Sequence, residues 1–522
     1  MLHEPAAAAL RVGAAATIHQ VRIAMVASEC EPFAKTGGLA DVVDGLARAL
    51  AELGHETDVY LPRYRGLEPP AGSVRQPIRI ALPSGPGPDT LPTHTTVSLW
   101  DCPGDGYRLR LVDHPPSFDR AGLYGQDGTD YPDNGARFAL LGRVALAAAA
   151  TDVVPLDVMH GHDWQAGPAL LAMAHGARSE PALEETVTVL TCHNLAYHGW
   201  VPPDRAWQLG LRASLAGTEG VDLLREGIGA ADMVNTVSPT YAVESLSAEY
   251  GGGVDAALRA RGDTYRGILN GLDSTLWDPA TDEALAATYD SGDLSGKAAD
   301  RLDLAARHGL SPDGPIFGMV GRLDPQKGFD LVAGAASGLL AMGGRLIVLG
   351  TGDARLLAEL GAVARQSPDR VALLDRFDRD EARRIYAGAD IFLMPSRFEP
   401  SGQGQLIAFR YGTVPLVRRT GGLADTIRDV DAPRAQGAIA GTGYVFDEAT
   451  PEALLSAAQR AVNGWANRTV WTQLVRRGMA EDHSWARPAR LYEQLYRDAR
   501  ELRSRSSGGT PAVDGSRVVP RS

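Results

Sequence analysis

Two cations in one loop of this chain could stabilise a leaving diphosphate. Arg322 and Lys327 stand five residues apart in the segment GRLDPQKG, directly after a predicted buried strand. Arginine offers a fork of donors and lysine a point charge, so both can converge on phosphate oxygens. The spacing does not match a Walker A loop, which ends in Gly-Lys-Ser/Thr. We therefore predict a diphosphate site here, with a solvated basic turn as the alternative.

A carboxylate follows another predicted strand, in the segment PSRFEPSGQGQ at residues 395–405. Glu399 is held between prolines and could accept hydrogen bonds from sugar hydroxyls or stabilise positive charge. The glycine-rich residues 402–404 open a helix, so their N–H groups could face phosphate oxygens. A rigid turn between strand and helix is the alternative.

The hexapeptide TGGLAD occurs twice, at residues 36–41 and 420–425, and a basic residue precedes each copy. Paired glycines before a helix let N–H groups approach an anion at the positive end of the helix dipole. Two such loops predict two α/β halves that share one anionic ligand. Two ordinary helix-start turns are the alternative.

Further polar side chains stand in two histidine segments and at one helix start. The segments HGHDW at residues 160–164 and TCHNLAY at 191–197 each follow a predicted strand. A metal site would use four of these side chains, His160, His162, Asp163 and His193. We favour a polar cleft because no pattern of supporting residues indicates a metal, and a satisfied structural histidine in either segment is a further alternative. In the segment YPDNGARF, Asp133 and Asn134 are candidates for a helix N-cap or for contacts to a sugar.

Buried apolar runs alternate with helical segments, which predicts two doubly wound parallel sheets. The first series has strands at residues 21–27, 58–61, 158–160, 187–191 and 233–238, and helices at 41–53 and 136–150. The second series has strands at 316–320, 345–349, 371–374, 391–394 and 414–417. Residues 64–105 contain many prolines and glycines, and we predict that they form an insertion with short β pieces. Ligands of such sheets bind beyond the carboxyl ends of the strands, where the strongest motifs lie.

Length and composition limit the organisation and the partners. With 522 residues we predict an extension at 1–20, an N-terminal domain at 21–270, a C-terminal domain at 271–487, a helix at 488–502 and a disordered tail at 503–522. The net charge of −13 disfavours general binding to nucleic acid or to an anionic membrane. Three scattered cysteines fit a reducing cytoplasm, and no sequence feature indicates an oligomeric state.

Two enzyme classes are disfavoured. No Gly-x-Gly-x-x-Gly follows the first predicted strand, which argues against a dinucleotide-dependent dehydrogenase. No second carboxylate is clearly paired with Glu399 in the sequence, which argues against a hydrolase that uses two carboxylates.

In order from about residue 21 to residue 496, the motifs resemble those of bacterial glycogen synthases and plant starch synthases. The resemblance is carried by KTGGLADV at 35–42, HDW at 162–164, TCHNLAY, NGLD at 270–273, GRLDPQKG, PSRFEP and LVRRTGGLAD at 416–425. It implies the GT-B fold, an α/β architecture in which two Rossmann-like domains face a deep cleft. It implies retaining transfer of glucose from ADP-glucose to the non-reducing end of an α-1,4-glucan such as glycogen, with no metal and no other cofactor.

The resemblance also implies a role for each matching residue. The catalytic set would be Arg322 and Lys327 at the diphosphate, Glu399 at the donor glucose and His193 beside the reacting sugar. Further donor contacts would come from Lys35, Gly37, Gly38, Phe377, Ser401, Gly402, Gln403 and Gly404, with Phe377 over the adenine. The acceptor or the transferred sugar would lie near Asp41, Asp133, Asn134 and Arg137.

The donor loop departs from the pattern of that family. The usual Cys is Ser401, the usual Gly-Leu-Thr-Gln is GQGQ at 402–405, and the usual Tyr-Gly-Leu is IAF at 407–409. A glycine at 404 removes a hydroxyl that could reach phosphate. Two alternatives therefore stay open: a GT-B enzyme with another nucleotide sugar or acceptor, and a weakly active glucan-binding paralogue.

Overall fold

The computed structural model describes residues 20–84, 93–210, 219–432 and 440–507. Its strands are β1 (Arg22–Val26), β2 (Glu56–Pro62), β3 (Val74–Leu82), β4 (Thr93–Pro103), β5 (Arg108–Asp113), β6 (Gly125–Gln126), β7 (Thr129–Asp130), β8 (Val158–His162), β9 (Val187–Cys192), β10 (Trp200–Val201), β11 (Val221–Asp222), β12 (Met233–Thr236), β13 (Tyr265–Gly267), β14 (Ile316–Val320), β15 (Arg345–Leu349), β16 (Val371–Leu374), β17 (Ile391–Met394), β18 (Val414–Arg418) and β19 (Tyr444–Phe446). Its α-helices are Leu39–Glu52, Pro115–Phe118, Asn134–Thr151, Asp163–His175, Leu223–Ala230, Pro239–Glu244, Asp255–Arg261, Ser295–Arg307, Phe329–Ala341, Ala354–Gln366, Arg379–Gly388, Gly404–Arg410, Gly421–Thr426, Pro451–Ala466, Arg468–Met479 and Ala486–Ser507.

The first sheet has nine strands in the order β13-β12-β9-β8-β1-β2-β5-β4-β3. The strands from β13 to β5 run parallel, and β4 and β3 extend the sheet in antiparallel pairing. β1 and β9 are buried along their whole length, as is typical of parallel strands covered by helices on both faces. We call residues 21–270, which contain this sheet, the N-terminal lobe.

The second sheet has six parallel strands in the order β16-β15-β14-β17-β18-β19. We call residues 271–487, which contain it, the C-terminal lobe. In each sheet the first strand is flanked by the next strand on one side and by a later one on the other, β2 and β8 around β1 and β15 and β17 around β14. This reversal is the switch point at which doubly wound sheets bind ligands.

The predicted and observed strand bounds agree best in the C-terminal lobe, where the predictions for β14 to β17 match the observed residues. Between β2 and β5, however, the prediction of short β pieces is wrong, because β3 and β4 have 9 and 11 residues. They pair with each other at nine positions, and this pairing extends both strands beyond the short pieces that were predicted. Residues 85–92 of the predicted insertion lie outside the described part.

The C-terminal helix Ala486–Ser507 is longer than the predicted 488–502, so residues 503–507 of the predicted tail are helical. It returns to the N-terminal lobe, where Tyr492, Leu495 and Tyr496 join the first hydrophobic core. Their spacing gives one apolar stripe on a helix, which explains why it packs there. The predicted extension, up to residue 19, and the tail from residue 508 lie outside the described part. We propose the domain boundary between residues 270 and 271.

None of the helices in the described ranges is both long enough and apolar enough to cross a membrane.

Candidate functional site

Lys327 and Glu399 form an ion pair at the switch point of the C-terminal sheet. Lys327 follows β14 and Glu399 follows the neighbouring strand β17, so the sheet order brings them together. The Lys327 ammonium lies 2.9 Å and 2.7 Å from the two carboxylate oxygens of Glu399. Ser396 Oγ donates to the same carboxylate over 2.9 Å. Because Glu399 is only 5% exposed, electrostatic interactions here are stronger than in bulk water.

Arg322 extends from the same loop as Lys327 and is more exposed. Its Nε donates to Asp324 over 2.6 Å, and Asp324 also accepts the backbone N–H of Lys327 over 3.0 Å. Burial lowers the pKa of Arg322, but Asp324 and the Tyr197 hydroxyl raise it to a net value above the ordinary one. Tyr197 belongs to the N-terminal lobe, so a group of that lobe acts on the pKa of Arg322.

Lys35 lies at the switch point of the N-terminal sheet, in the loop after β1. Its ammonium is 2.5 Å from Asp41 Oδ1 and 3.4 Å from Glu31 Oε2. Burial raises the pKa of Asp41, and the charge of Lys35 opposes that rise. Glu31 also pairs with Arg379 of the C-terminal lobe over 3.0 Å. This loop is therefore connected to both lobes.

The first copy of the hexapeptide is held by Glu29. Its carboxylate accepts the N–H of Thr36 over 2.6 Å and that of Gly37 over 3.1 Å. Gly37 and Gly38 are exposed, and a Cβ added to either would meet no atom within 4 Å. The loop therefore has a fixed backbone and an open surface.

The second copy is held by a glutamate of the other lobe. The N–H of Gly421 lies 3.1 Å from both carboxylate oxygens of Glu244, and Thr420 Oγ1 lies 3.3 Å from both. Each of these sets of donors binds a glutamate of the protein, and the sharing of one anionic ligand by the two loops stays a prediction.

A cavity of about 420 Å³ lies between the two lobes. Asp41 and Arg48 line it from the N-terminal lobe, and Trp277 and Gln403 line it from the C-terminal lobe. The loop after β1, which carries Glu31, and the loop after β17, which carries Gln403, therefore border one cavity.

His193 is fixed from two sides after β9. Its Nε2 lies 3.0 Å from His162 Nδ1, and its backbone N–H donates to Asp163 Oδ1 over 2.6 Å. Burial lowers the pKa of His193 to about 3, so its ring is neutral at physiological pH. Burial raises the pKa of Asp163 to about 7, against the opposing N–H groups of His193 and Asn194. Asp163 has φ of 55°, a strained value for a residue with a side chain, of the kind found at functional sites.

His160 and His162 lie on β8 itself, because the strand continues two residues beyond its predicted end. His160 bonds Tyr496 of the C-terminal helix over 2.9 Å and Thr191 over 2.7 Å, so it is a satisfied interior side chain. Within the described ranges no group of three or more His, Cys, Asp or Glu side chains is arranged to hold a metal ion.

The candidate sugar contacts at the helix Asn134–Thr151 are already engaged. Asp133 stands at the N-cap position without a capping side-chain bond and pairs with Arg120 over 2.9 Å and 2.6 Å. Arg137 is 1% exposed and donates to Ser117 O and to Asn134 Oδ1, each over 2.6 Å. In this structure Asn134 and Arg137 support the lobe from inside, although Arg137 Nη2 is a buried donor without a hydrogen-bond partner among the described residues.

The remaining donor candidates line the second lobe. Phe377 follows β16 and is 81% exposed, so its ring face is free to stack. Ser401 is 9% exposed, and its carbonyl accepts Gln405 Nε2 over 3.0 Å, as does that of Gly402 over 3.1 Å. Gly404 begins the next helix, as the sequence predicted.

Comparison with known proteins matches both lobes. A model of the starch synthase catalytic domain matches residues 22–260, and one of glycosyl transferases group 1 matches residues 300–477. A glycogen synthase of Anaeromyxobacter dehalogenans is 45% identical over 486 residues, 91% of this chain and 99% of the relative. A glycogen synthase of Syntrophotalea carbinolica is 42% identical over 492 residues, 92% of this chain and 99% of the relative. The catalytic domain of starch synthase IV from Arabidopsis thaliana, bound to ADP and acarbose, is 31% identical, with a TM-score of 0.83 over 92% of this chain and 100% of that domain.

Proposed function

The chain belongs to the family of glycogen synthases and starch synthases and is a glycosyltransferase, and we propose that it transfers glucose from ADP-glucose to the non-reducing end of an α-1,4-glucan with retention of configuration. The resemblance and the GT-B fold that the sequence predicted are confirmed. The starch synthase IV structure contains ADP and acarbose. As part of the proposal, this chain uses a nucleotide-sugar donor and a glucan acceptor.

The observation that carries the proposal is the Lys327–Glu399 pair at the switch point of the C-terminal sheet. Breaking a glucose–phosphate bond builds positive charge on the sugar and negative charge on the departing diphosphate. A fixed cation and a fixed carboxylate in contact at the edge of a cleft can stabilise both charges as they develop. A pair placed for packing alone would not need to sit where the strand order of the sheet reverses.

Lys327 and Arg322 bind the diphosphate in this proposal and stabilise it as ADP leaves. Arg322 is exposed enough to turn toward a ligand, with 57% of its side chain accessible. Lys35 reaches the donor from the N-terminal lobe, together with the open backbone of Gly37 and Gly38. Such preorganised donors act without reorganisation at the moment of reaction.

Glu399 accepts hydrogen bonds from the hydroxyl groups of the donor glucose and faces the positive charge that forms on the sugar. His193 lies beside the sugar as a neutral ring, since burial lowers its pKa to about 3. A neutral imidazole can donate or accept a hydrogen bond without opposing the charge of the sugar. Phe377 stacks on the adenine, and Asp41 lies near the transferred sugar.

The test is an assay of ADP release with purified protein, ADP-glucose and glycogen. Lys327→Ala removes one cation at the leaving group, so we expect kcat to fall by about 100- to 1,000-fold. Arg355→Ala is the matched control, because Arg355 is 66% exposed in a surface ion pair, and we expect kcat within about twofold of the native protein. ADP release by the native protein no higher than that of Lys327→Ala would contradict the proposal.

One observation favours a second candidate, a related transferase with a different nucleotide sugar. A Cβ at Gly404 would lie 3.0 Å from Phe392 and 3.3 Å from the Tyr386 hydroxyl, so the usual threonine would require these side chains to shift by a few tenths of an ångström. The donor loop of this chain is therefore packed for glycine. A panel of ADP-, UDP- and GDP-glucose decides between the candidates, and a preference for UDP- or GDP-glucose would replace the first proposal.

A further inference from the structure

The second copy of the hexapeptide supports the backbone of Glu399. The N–H of Gly422 donates to the Glu399 carbonyl over 3.0 Å. A Cβ at Gly421 would lie 2.1 Å from that carbonyl oxygen, and one at Gly422 would lie 2.0 Å from the carbonyl oxygen of Ser401. Both distances are far shorter than any contact that carbon atoms tolerate. The loop and the Glu399 backbone are thus in direct contact and must move together.

The same loop is anchored on its other side by the helix Pro239–Glu244 of the N-terminal lobe. Both oxygens of the Glu244 carboxylate accept the N–H of Gly421 over 3.1 Å. In the reverse direction Asp425 accepts the backbone N–H of Thr240 over 3.0 Å and its hydroxyl over 2.6 Å. Two short helices from opposite lobes are therefore tied by hydrogen bonds that run both ways.

We propose that Glu244 is a positioning residue that fixes Glu399 across the boundary between the lobes. The path is short: the Glu244 carboxylate holds Gly421, and the adjacent Gly422 holds the carbonyl of Glu399. This inference rests on the proposed function, because it assigns Glu399 its place at the donor sugar. Glu244 acts through this path, and the proposal assigns it no contact with the substrate.

The chemistry of the contact explains why a carboxylate is needed. Glu244 presents two acceptors to donors on consecutive residues, and hydrogen bonds to a charged acceptor are stronger than neutral ones. Glutamine would keep the size of the side chain but lose the charge and one acceptor. The contact also depends on the distance between the lobes, so it links the relative position of the lobes to the position of Glu399.

The first experiment compares Glu244→Gln with Glu249→Gln, an exposed glutamate five positions further along. We expect E244Q to lower kcat by about 10-fold, the effect of losing one charge-assisted hydrogen bond, with the KM for ADP-glucose changed by less than about twofold. E249Q should match the native protein. A kcat for E244Q equal to that of E249Q would overturn the proposal.

A double-mutant cycle then asks whether Glu244 acts through Glu399. Rates of Glu399→Gln with and without E244Q are measured with enzyme in excess. We expect E244Q to add little to the loss in E399Q, because the group that it positions has already been changed. A further loss equal to that in the native background would show that Glu244 acts elsewhere and would overturn the proposal.

Hydrogen exchange provides a readout that does not depend on activity, so it decides the inference even if ADP-glucose is not the donor. In E244Q we expect faster exchange in residues 420–426 and also in residues 396–405, relative to E249Q. Faster exchange confined to residues 420–426 would refute the transmission to Glu399. If E244Q does not fold, Thr240→Val, which removes one donor to Asp425 at the same contact, is compared in the same way with the same two outcomes.

Discussion

The two copies of TGGLAD have one sequence and two different partners. In both, loop N–H groups bind a glutamate, Glu29 for Gly37 and Glu244 for Gly421. Glu29 stands 8 residues before Gly37 in the same loop region, whereas Glu244 stands 177 residues before Gly421 in the other lobe. Six residues therefore specify a local conformation that binds a carboxylate, and the fold decides which carboxylate that is.

The space around the glycines differs as well. Gly37 faces open space, while Gly421 is pressed against the carbonyl of Glu399. The first copy can thus meet a ligand, and the second is a support inside the protein. In our proposal the same motif serves binding in one lobe and positioning in the other. The repetition alone therefore does not indicate that both copies bind substrate.

The largest expected difference between the copies is in the response to an added methyl group. Gly421 has φ of 43° and no room for a Cβ, so we expect Gly421→Ala to lower the free energy of unfolding by about 2 to 4 kcal/mol and kcat by more than about 100-fold. Gly37→Ala should change the free energy of unfolding by less than about 0.5 kcal/mol. Urea unfolding and ADP release measure both. Equal effects of the two variants would remove the distinction between an open copy and a packed one.

The basic residues that precede the copies should differ next. Lys35 pairs with Asp41 beside the cleft, and we expect Lys35→Ala to lower kcat/KM for ADP-glucose by about 10- to 100-fold, since it removes a charged donor. Arg419 pairs with Asp447 on the surface, with 51% and 67% of the two side chains exposed. Such pairs contribute little, so Arg419→Ala should change kcat/KM by less than about twofold. A loss in Arg419→Ala as large as that in Lys35→Ala would mean that both copies contact the donor.

The smallest expected effect concerns Glu29. Its carboxylate holds the loop that carries Lys35 but makes no contact with the C-terminal candidates, so Glu29→Gln should weaken donor binding rather than slow the transfer. We expect the KM for ADP-glucose to rise by about 3- to 10-fold, with kcat changed by less than about threefold. Steady-state kinetics of both variants measure this difference, because E244Q should lower kcat and leave the KM for ADP-glucose nearly unchanged. A fall in kcat without a rise in KM would contradict this division.

Much of the site could be predicted because short segments carry it. Arg322, Lys327 and Glu399 each follow a strand whose apolar run is continuous, and the bounds of those strands agree with the structure. These three candidates were therefore found from strand ends and residue types, whereas others, such as Phe377, came only from the family resemblance. The sequence offered Asp163 as a metal ligand and did not predict that it accepts the N–H of His193. The two residues are 30 positions apart, so no short spacing in the sequence indicates this contact.

Other features depend on contacts between distant segments. The length of β3 and β4 follows from their pairing with each other, which a search for apolar runs does not detect. The C-terminal helix was predicted as a helix, but its packing on the N-terminal core requires the chain to cross back between the lobes. The burial of Arg137 was also missed, because an arginine in a sequence reads as exposed.

By itself the sequence determined the local elements of this protein: its parallel strands, the loops that end them and the chemical groups that those loops carry. Periodicity and residue type act over a few positions, so they are readable without a fold. Only the tertiary structure decided that Glu244 rather than a ligand fills the second hexapeptide, that Glu399 rests on that loop and that His193 has a neutral ring. Each of these depends on which groups burial brings into contact, and burial is a property of the folded chain as a whole.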